Sequence, residues 1–277
     1  MSRGIKLGKK VLVQYKKLSK TYMGSKNEEC VEALKEITFD VYENEFVTVV
    51  GPSGCGKSTL LNITAGILPY TSGELFIDEV KIKEPTPNIG IVFQAPTLLE
   101  WRSVLDNVLL PVEILGKDKK KYYEEAMNLI KLVGLQNFER RYPWELSGGM
   151  QQRVSICRSL IHDPKLLLMD EPFGALDAIT RDRMDLELLR IWKEKRKTVI
   201  YITHSIPESV FLADRVVVLS ARPAKVVKIV KVNLPRPRTV EMQYTKKFKD
   251  YCHFIVNLIA GEAEREEPIG SGNREFH

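Results

Sequence analysis

No stretch of this 277-residue chain approaches the roughly 18 uninterrupted apolar residues that a membrane-spanning helix requires. The opening, Met1 to Lys10, carries charge without the apolar segment of a signal peptide, so a cytoplasmic protein is expected. Cysteine is scarce as well. Cys30, Cys55, Cys157 and Cys252 lie far apart and form no C-x-x-C pair, which argues against a zinc site and a disulfide framework and for reduced thiols. Dense charge of one sign is nearly absent: the formal charge is +6, yet acidic residues are interspersed almost everywhere and Lys117 to Lys121 is the one compact basic run. A solvated helix start accounts for that run better than a patch for nucleic acid or membrane does. There is no internal repeat, and no N-K-x-D string of the kind that reads guanine.

What is present suffices for a real core, because 44% of the residues are hydrophobic. One large domain or two smaller ones would fit. Val11 to Tyr15, Ile37 to Tyr42 and Phe46 to Val50 are rich in β-branched and aromatic residues between turn signals and read as strands. Short continuous apolar runs at Ile89 to Phe93, Leu166 to Met169, Val199 to Thr203 and Val216 to Leu219 read as buried parallel strands. Between Gln94 and Ser159 the pattern turns helical. Ser103 with Asp106 predicts a cap, and Asp118 predicts a second helix that ends before Gly134. After Leu234, Pro235 and Pro237 block helix, and Phe248, Tyr251, Phe254, Ile255 and Leu258 then recur at the spacing of a docking helix. Residues 261–277 are expected to be disordered.

Gly51-Pro52-Ser53-Gly54-Cys55-Gly56-Lys57-Ser58 fits G-x-x-x-x-G-K-[ST], between a predicted strand and a predicted helix of about Thr59 to Ala65. The glycines let successive backbone N–H groups face a phosphate, and the helix start adds partial positive charge. Lys57 is placed to reach the β and γ phosphates and Ser58 to ligate magnesium. Nucleotide binding follows, but kinases, GTPases and motor ATPases share this loop. Cys55 sits where positive potential favours thiolate, so alkylation there, blocked by MgATP, is expected unless the loop shields it.

Ser147-Gly148-Gly149 opens a helix at Met150 to Ile161 and offers either a second anion site or an ordinary cap. Further on, Leu166 to Met169 runs into Asp170 and Glu171, two carboxylates at the carboxyl end of a buried strand. Asp170 is placed to hold magnesium through water, and Glu171 to polarise the attacking water. Gln94 and His204 end two other strands, where each could meet a γ-phosphate; taken alone, a histidine in such a place is more often structural.

Taken in order, these motifs resemble those of an ATP-binding-cassette nucleotide-binding subunit from about Val11 to Leu258. The resemblance implies an α/β fold, a RecA-like P-loop ATPase core with an antiparallel β subdomain and a helical subdomain at about 95–159. It implies an ATPase domain over 11–234, with an extension at 235–260. It assigns Tyr22 to stacking on adenine, Gly51 to Thr59 to the Walker A loop, Gln94 to the Q-loop and Leu146 to Gln152, including Gln151, to the signature. Asp170 and Glu171 become Walker B, Ala175 to Asp177 the D-loop and His204 the switch histidine. Glu171, Gln94 and His204 are then catalytic. Ser58, Gln94 and Asp170 serve magnesium; Tyr22, the loop residues Gly51, Ser53, Gly54, Cys55, Gly56, Lys57, Ser58 and Thr59, and Ser147, Gly148, Gly149, Gln151 and Asp177 serve ATP.

The expected cofactors are ATP and Mg2+. The expected partners are a second ATP-binding subunit in a head-to-tail ATP sandwich, integral-membrane permease subunits at the cytoplasmic face of the membrane and, indirectly, a solute-binding protein. By the same resemblance Leu98, Leu99 and Trp101 border the groove that receives a permease helix. The strings Val92-Phe93-Gln94, Ala178-Ile179-Thr180-Arg181, Ser220-Ala221-Arg222-Pro223 and Leu234 to Arg238 are similar to the nitrate, sulfonate and taurine importer branch. The rival is a cassette ATPase working on nucleic acid or ribosomes. Against it, no long coiled coil separates Walker A from the signature, and there is one cassette instead of two.

Overall fold

The computed structural model describes residues 10–23 and 30–266. Residues 1–9, read above for a signal peptide, and 267–277 of the expected tail lie outside the described residues.

Two sheets organise the chain. The smaller is antiparallel, in the order β2-β1-β4-β5, built from β1 (Val11–Tyr22), β2 (Val31–Tyr42), β4 (Ser72–Ile77) and β5 (Val80–Lys81). β1 runs seven residues past the expected Tyr15. Its register shifts between Tyr15 and Leu18, with Lys17 at φ 46°, and that bulge interrupts the alternation from which a strand is read. The larger sheet has the order β10-β9-β3-β8-β7-β6. It comprises β3 (Phe46–Val50), β6 (Ile89–Val92), β7 (Leu166–Asp170), β8 (Thr198–Ile202), β9 (Arg215–Leu219) and β10 (Val226–Lys231). All pairings are parallel except β10 with β9. Every residue of β3 and β8 is buried, as continuous apolar runs require of strands covered on both faces.

Helix α1 (Lys57–Thr64) follows β3 and packs, with the small sheet, on one face of the large sheet. The other face is covered by α2 (Val104–Ile114), α3 (Lys119–Leu132), α4 (Gly148–Leu160), α5 (Ala178–Lys195), α6 (Ile206–Leu212) and α7 (Lys246–Glu266). The expected caps hold: the Ser103, Asp118 and Ser147 side chains accept from the N–H groups of Asp106, Lys120 and Met150, each cap being worth about 1 kcal/mol. α2, α3 and α4 close around Val108, Val112, Leu129, Ile130 and Val154, all fully buried, and form the helical insertion.

The stretch from Pro235 to Arg238 is not helical, as its prolines dictate. It is tied down by Arg236, which donates to Asp214 Oδ1 and to the Leu212 carbonyl and lies over the Trp192 ring at 4.3 Å. α7 then buries Phe248 and Ile255 against the core, each contributing roughly 1.5–3 kcal/mol. Phe254 departs from the expected stripe and is exposed, a position of the helix turned away from the core. α7 also continues to Glu266, past Gly261 where the disordered tail was expected to begin.

Candidate functional site

Because the strands of the large sheet run parallel, their carboxyl ends share one edge, and the residues that follow them converge there. β3 delivers the loop from Gly51, β6 delivers Gln94, β7 ends in Asp170 before Glu171, and β8 delivers His204. A cleft of about 320 Å³ opens at this edge, lined among others by Tyr22, Gly54, Lys57, Ser58, Thr59 and Glu171.

The phosphate loop is held by sterics as much as by hydrogen bonds. Gly56 sits at φ +123°, and a Cβ there would come within 2.9 Å of the Ala33 carbonyl and of Leu34 Cδ2. Only glycine combines that dihedral with so close an approach to β2. The Lys57 ammonium is buried and donates to the carbonyls of Gly51 and Pro52, each at 2.9 Å. α1 starts at Lys57, two residues before the expected Thr59, so the first amides of the helix face the cleft side of the loop without intrahelical partners.

Ser58 Oγ donates to Asp170 Oδ1 at 3.3 Å. Burial pushes the Asp170 carboxyl above its usual range and the neighbouring Glu171 charge adds to this, while the Ser58 bond pulls the other way. Two hard oxygen donors side by side, one a carboxylate short of a counter-charge, suit a small divalent cation. Glu171 stands at φ +44°, and its Oε2 accepts from His204 Nδ1 at 2.8 Å. With Glu171 ionised, Nδ1 is the protonated ring nitrogen. A side chain on Gly174 would lie 3.5 Å from both Gln94 Nε2 and Glu171 Oε2, so the bare glycine leaves room for both groups.

Tyr22 lies at the rim, its hydroxyl 3.2 Å from Thr59 Oγ1 and the Lys20 ammonium 5.1 Å from its ring centre. Arg222 lines the cleft too, donating to the Gly54 carbonyl at 2.8 Å. Sequence reasoning missed it as a site residue, although a cation following β9 at the same sheet edge was the available signal.

Other expected site residues are elsewhere. Ser147, Gly148, Gly149, Gln151 and Asp177 do not line this cleft. Nothing lies within 4 Å of where a Cβ would stand on Gly148 or Gly149, so that face of the α4 start is open. The Gln151 amide donates to the Pro143 carbonyl at 2.9 Å, and Asp177 caps α5 through the Thr180 N–H. Cys55 is 1% exposed, and burial raises its thiol pKa against the Lys57 charge that lowers it. The activated thiolate expected from the loop's potential is overturned by desolvation.

An apolar groove of about 410 Å³ runs between β6 and α2, lined by Ile91, Phe93, Leu110 and Ile114 among others. Leu98, Leu99 and Trp101 do not line it. Leu98 turns into the helical core, and Leu99 is pinned in both directions by the Asn107 amide. Trp101 is 72% exposed.

A family profile described as ABC transporter matches residues 34–174, which hold the phosphate loop, the open glycine turn and the two carboxylates. The chain belongs to the ABC transporter family. An ABC transporter ATP-binding protein of Methanocaldococcus jannaschii is 48% identical over 91% of this chain and 93% of its own length. A taurine import ATP-binding protein of Rhizobium johnstonii is 48% identical over 71% of this chain and 75% of its own. For an aliphatic sulfonates import ATP-binding protein of Bacillus cereus the figures are 45%, 78% and 84%. Among solved structures, the dimeric post-hydrolysis state of an ATP-binding cassette bound to ADP and Pi aligns with a TM-score of 0.69 at 32% identity, over 81% of this chain and 100% of that one. No helix among the described residues of this ABC protein is long and apolar enough to cross a membrane.

Proposed function

We propose that this ABC subunit binds MgATP in the cleft and works as a pair. Each copy's phosphate loop faces the other's Ser147-Gly148-Gly149 turn, and closure and hydrolysis drive uptake of a small solute through separate permease subunits. The observation that carries the reading is the convergence of the Lys57 loop, the Ser58–Asp170 contact and the Glu171–His204 pair at one sheet edge. In the presence of nucleotide, Lys57 exchanges its two carbonyl bonds for phosphate oxygens, and the backbone of Ser53 to Thr59 cradles them. Ser58 and Asp170, with Gln94, hold magnesium, which when bound neutralises charge developing on the β and γ phosphates. Glu171 orients the attacking water, with His204 steadying it, and Tyr22 supports the base.

The sandwich is favoured because the open glycine turn and Asp177 do not line their own chain's cleft while the similar cassette of known structure is a dimer. Relatives named for sulfonate and taurine import support an importer of that solute class; the cytoplasmic face of the membrane and a solute-binding protein complete the proposal. Nothing in these relatives favours work on nucleic acid. Lys57→Ala tests the core of the reading. Losing its charge-assisted bonds, worth roughly 1.5–3 kcal/mol, lowers nucleotide affinity about ten- to over a hundredfold in a fluorescence titration. Unchanged affinity in the folded variant would remove the cleft as the ATP site.

A further inference from the structure

A buried acidic cluster lies between α5, α6 and β8. Asp185 is 2% exposed and Glu208 7%, and the two carboxyls are close enough for the Glu208 charge to act on Asp185. Glu208 Oε1 accepts from the Tyr201 hydroxyl at 2.8 Å, and Oε2 accepts from the Thr203 hydroxyl. Asp185 Oδ1 has no partner. Two ionised carboxylates in contact in an apolar interior repel strongly, so one proton belongs between them. The two hydroxyl donors mark Glu208 as the ionised acceptor. The unpartnered oxygen is tolerable as the carbonyl of a neutral acid and costly on a carboxylate, which marks Asp185 as the proton's holder.

The cluster reaches both loops that carry the hydrolytic pair. Thr203 Oγ1 also accepts from the Ser205 N–H at 2.9 Å, so the residues on either side of His204 are fastened to Glu208. Arg181, one turn before Asp185, donates to the Leu176 carbonyl at 2.8 Å and the Phe173 carbonyl at 3.4 Å, fixing the turn that follows Glu171. We propose that the proton Asp185 donates to Glu208 locks α5 against α6, and so positions the 173–176 turn and His204 for hydrolysis; this rests on the ATPase reading above. Neither carboxyl lines the cleft, so both are positioning residues.

The titratable and charged groups facing the pair are Arg181 and Asp182 from α5, Tyr201 from β8 and His204 beyond it. Burial pushes Asp185 well above the carboxylate range, with the Glu208 charge adding to the rise, and burial also raises Glu208 against its hydroxyl donors. A carboxyl raised on folding favours the fold at low pH, and that contribution is lost as pH climbs through the folded value.

Asp185→Asn keeps a donor to Glu208 without a removable proton, whereas Asp185→Leu deletes the donor. In the full-length chain with MgATP, the wild-type kcat declines on the alkaline side, and Asp185→Asn abolishes that decline with the KM for ATP unchanged. Asp185→Leu lowers kcat about tenfold at unchanged KM. Without nucleotide, the urea midpoint of the wild type falls relative to that of Asp185→Asn as the pH is raised above the ordinary carboxylate range. This second readout separates the two readings, since a wild type that hydrolyses no ATP would sink the functional assignment while the midpoints still report the proton. The proposal is overturned if Asp185→Asn keeps the wild-type alkaline decline and stability slope, or if Asp185→Leu hydrolyses at the wild-type rate. Should the leucine variant fail to fold, the asparagine comparison decides.

Discussion

The Cys55 thiol is buried although its loop neighbours Ser53 and Gly54 are exposed. Its sulfur sits 3.1 Å from where a Gly51 side chain would begin, so the curl that presents amides to a phosphate also folds this side chain inward. Lys57 and Arg222 both lower its pKa, yet burial outweighs them. Nucleophilicity needs thiolate and access, and Cys55 has neither. Iodoacetamide at neutral pH is therefore expected to modify the exposed Cys30 well before Cys55, with MgATP making no difference at Cys55. Peptide mapping by mass spectrometry checks this, and early nucleotide-sensitive modification of Cys55 would contradict it. Cys252 reacts slowly for the same reason, burial having pushed it up to about 11.

Whole elements were legible where their signals are local. A cap is a contact within a few residues, so Ser103, Asp118 and Ser147 could be read directly, and α3 does end before Gly134, which adopts a positive φ of 69°. β4, β5 and β10 were not expected. β5 has only two residues, and β10 is a partly exposed edge strand whose partner is set by the sheet. The α2 entrance shows a finer limit. Leu98, Leu99 and Trp101 look alike in sequence, but the buried Asn107 amide bonds the backbone at Leu99 and Arg102, leaving Trp101 exposed between them. An exposed tryptophan contributes little to its own fold, so Trp101→Glu should leave folding and the basal ATPase of the isolated subunit within about twofold. Assembly with the permease and transport should weaken. Co-purification and basal hydrolysis check the two arms, and joint loss of ATPase and fold would return Trp101 to a packing role.

At the scale of the molecule, the strand order decided what the sequence could not. Gln94, Asp170, Glu171 and His204 are scattered over more than a hundred positions, and parallel pairing around β3, β8, β7 and β6 brings them to one edge. The Ser147 turn, equally plain as a motif, rides on the helical insertion and does not line that cleft, so under the proposed pairing one chain offers two half-sites. Glu171→Gln tests whether two chains complete them. The amide retains its place beside His204 but no longer draws a proton from water, so hydrolysis slows about a hundred- to ten-thousandfold while MgATP still binds. Binding without hydrolysis traps the closed pair, which size-exclusion chromatography detects as a shift from monomer to dimer in MgATP. A second change, Ser147→Arg, projects a long side chain where the partner's phosphate belongs and abolishes the shift without touching either carboxylate. The comparison is repeated in the complex with its permease. Wild-type hydrolysis by Glu171→Gln, or failure to dimerise even in that complex, would overturn the catalytic assignment of Glu171 or the sandwich respectively.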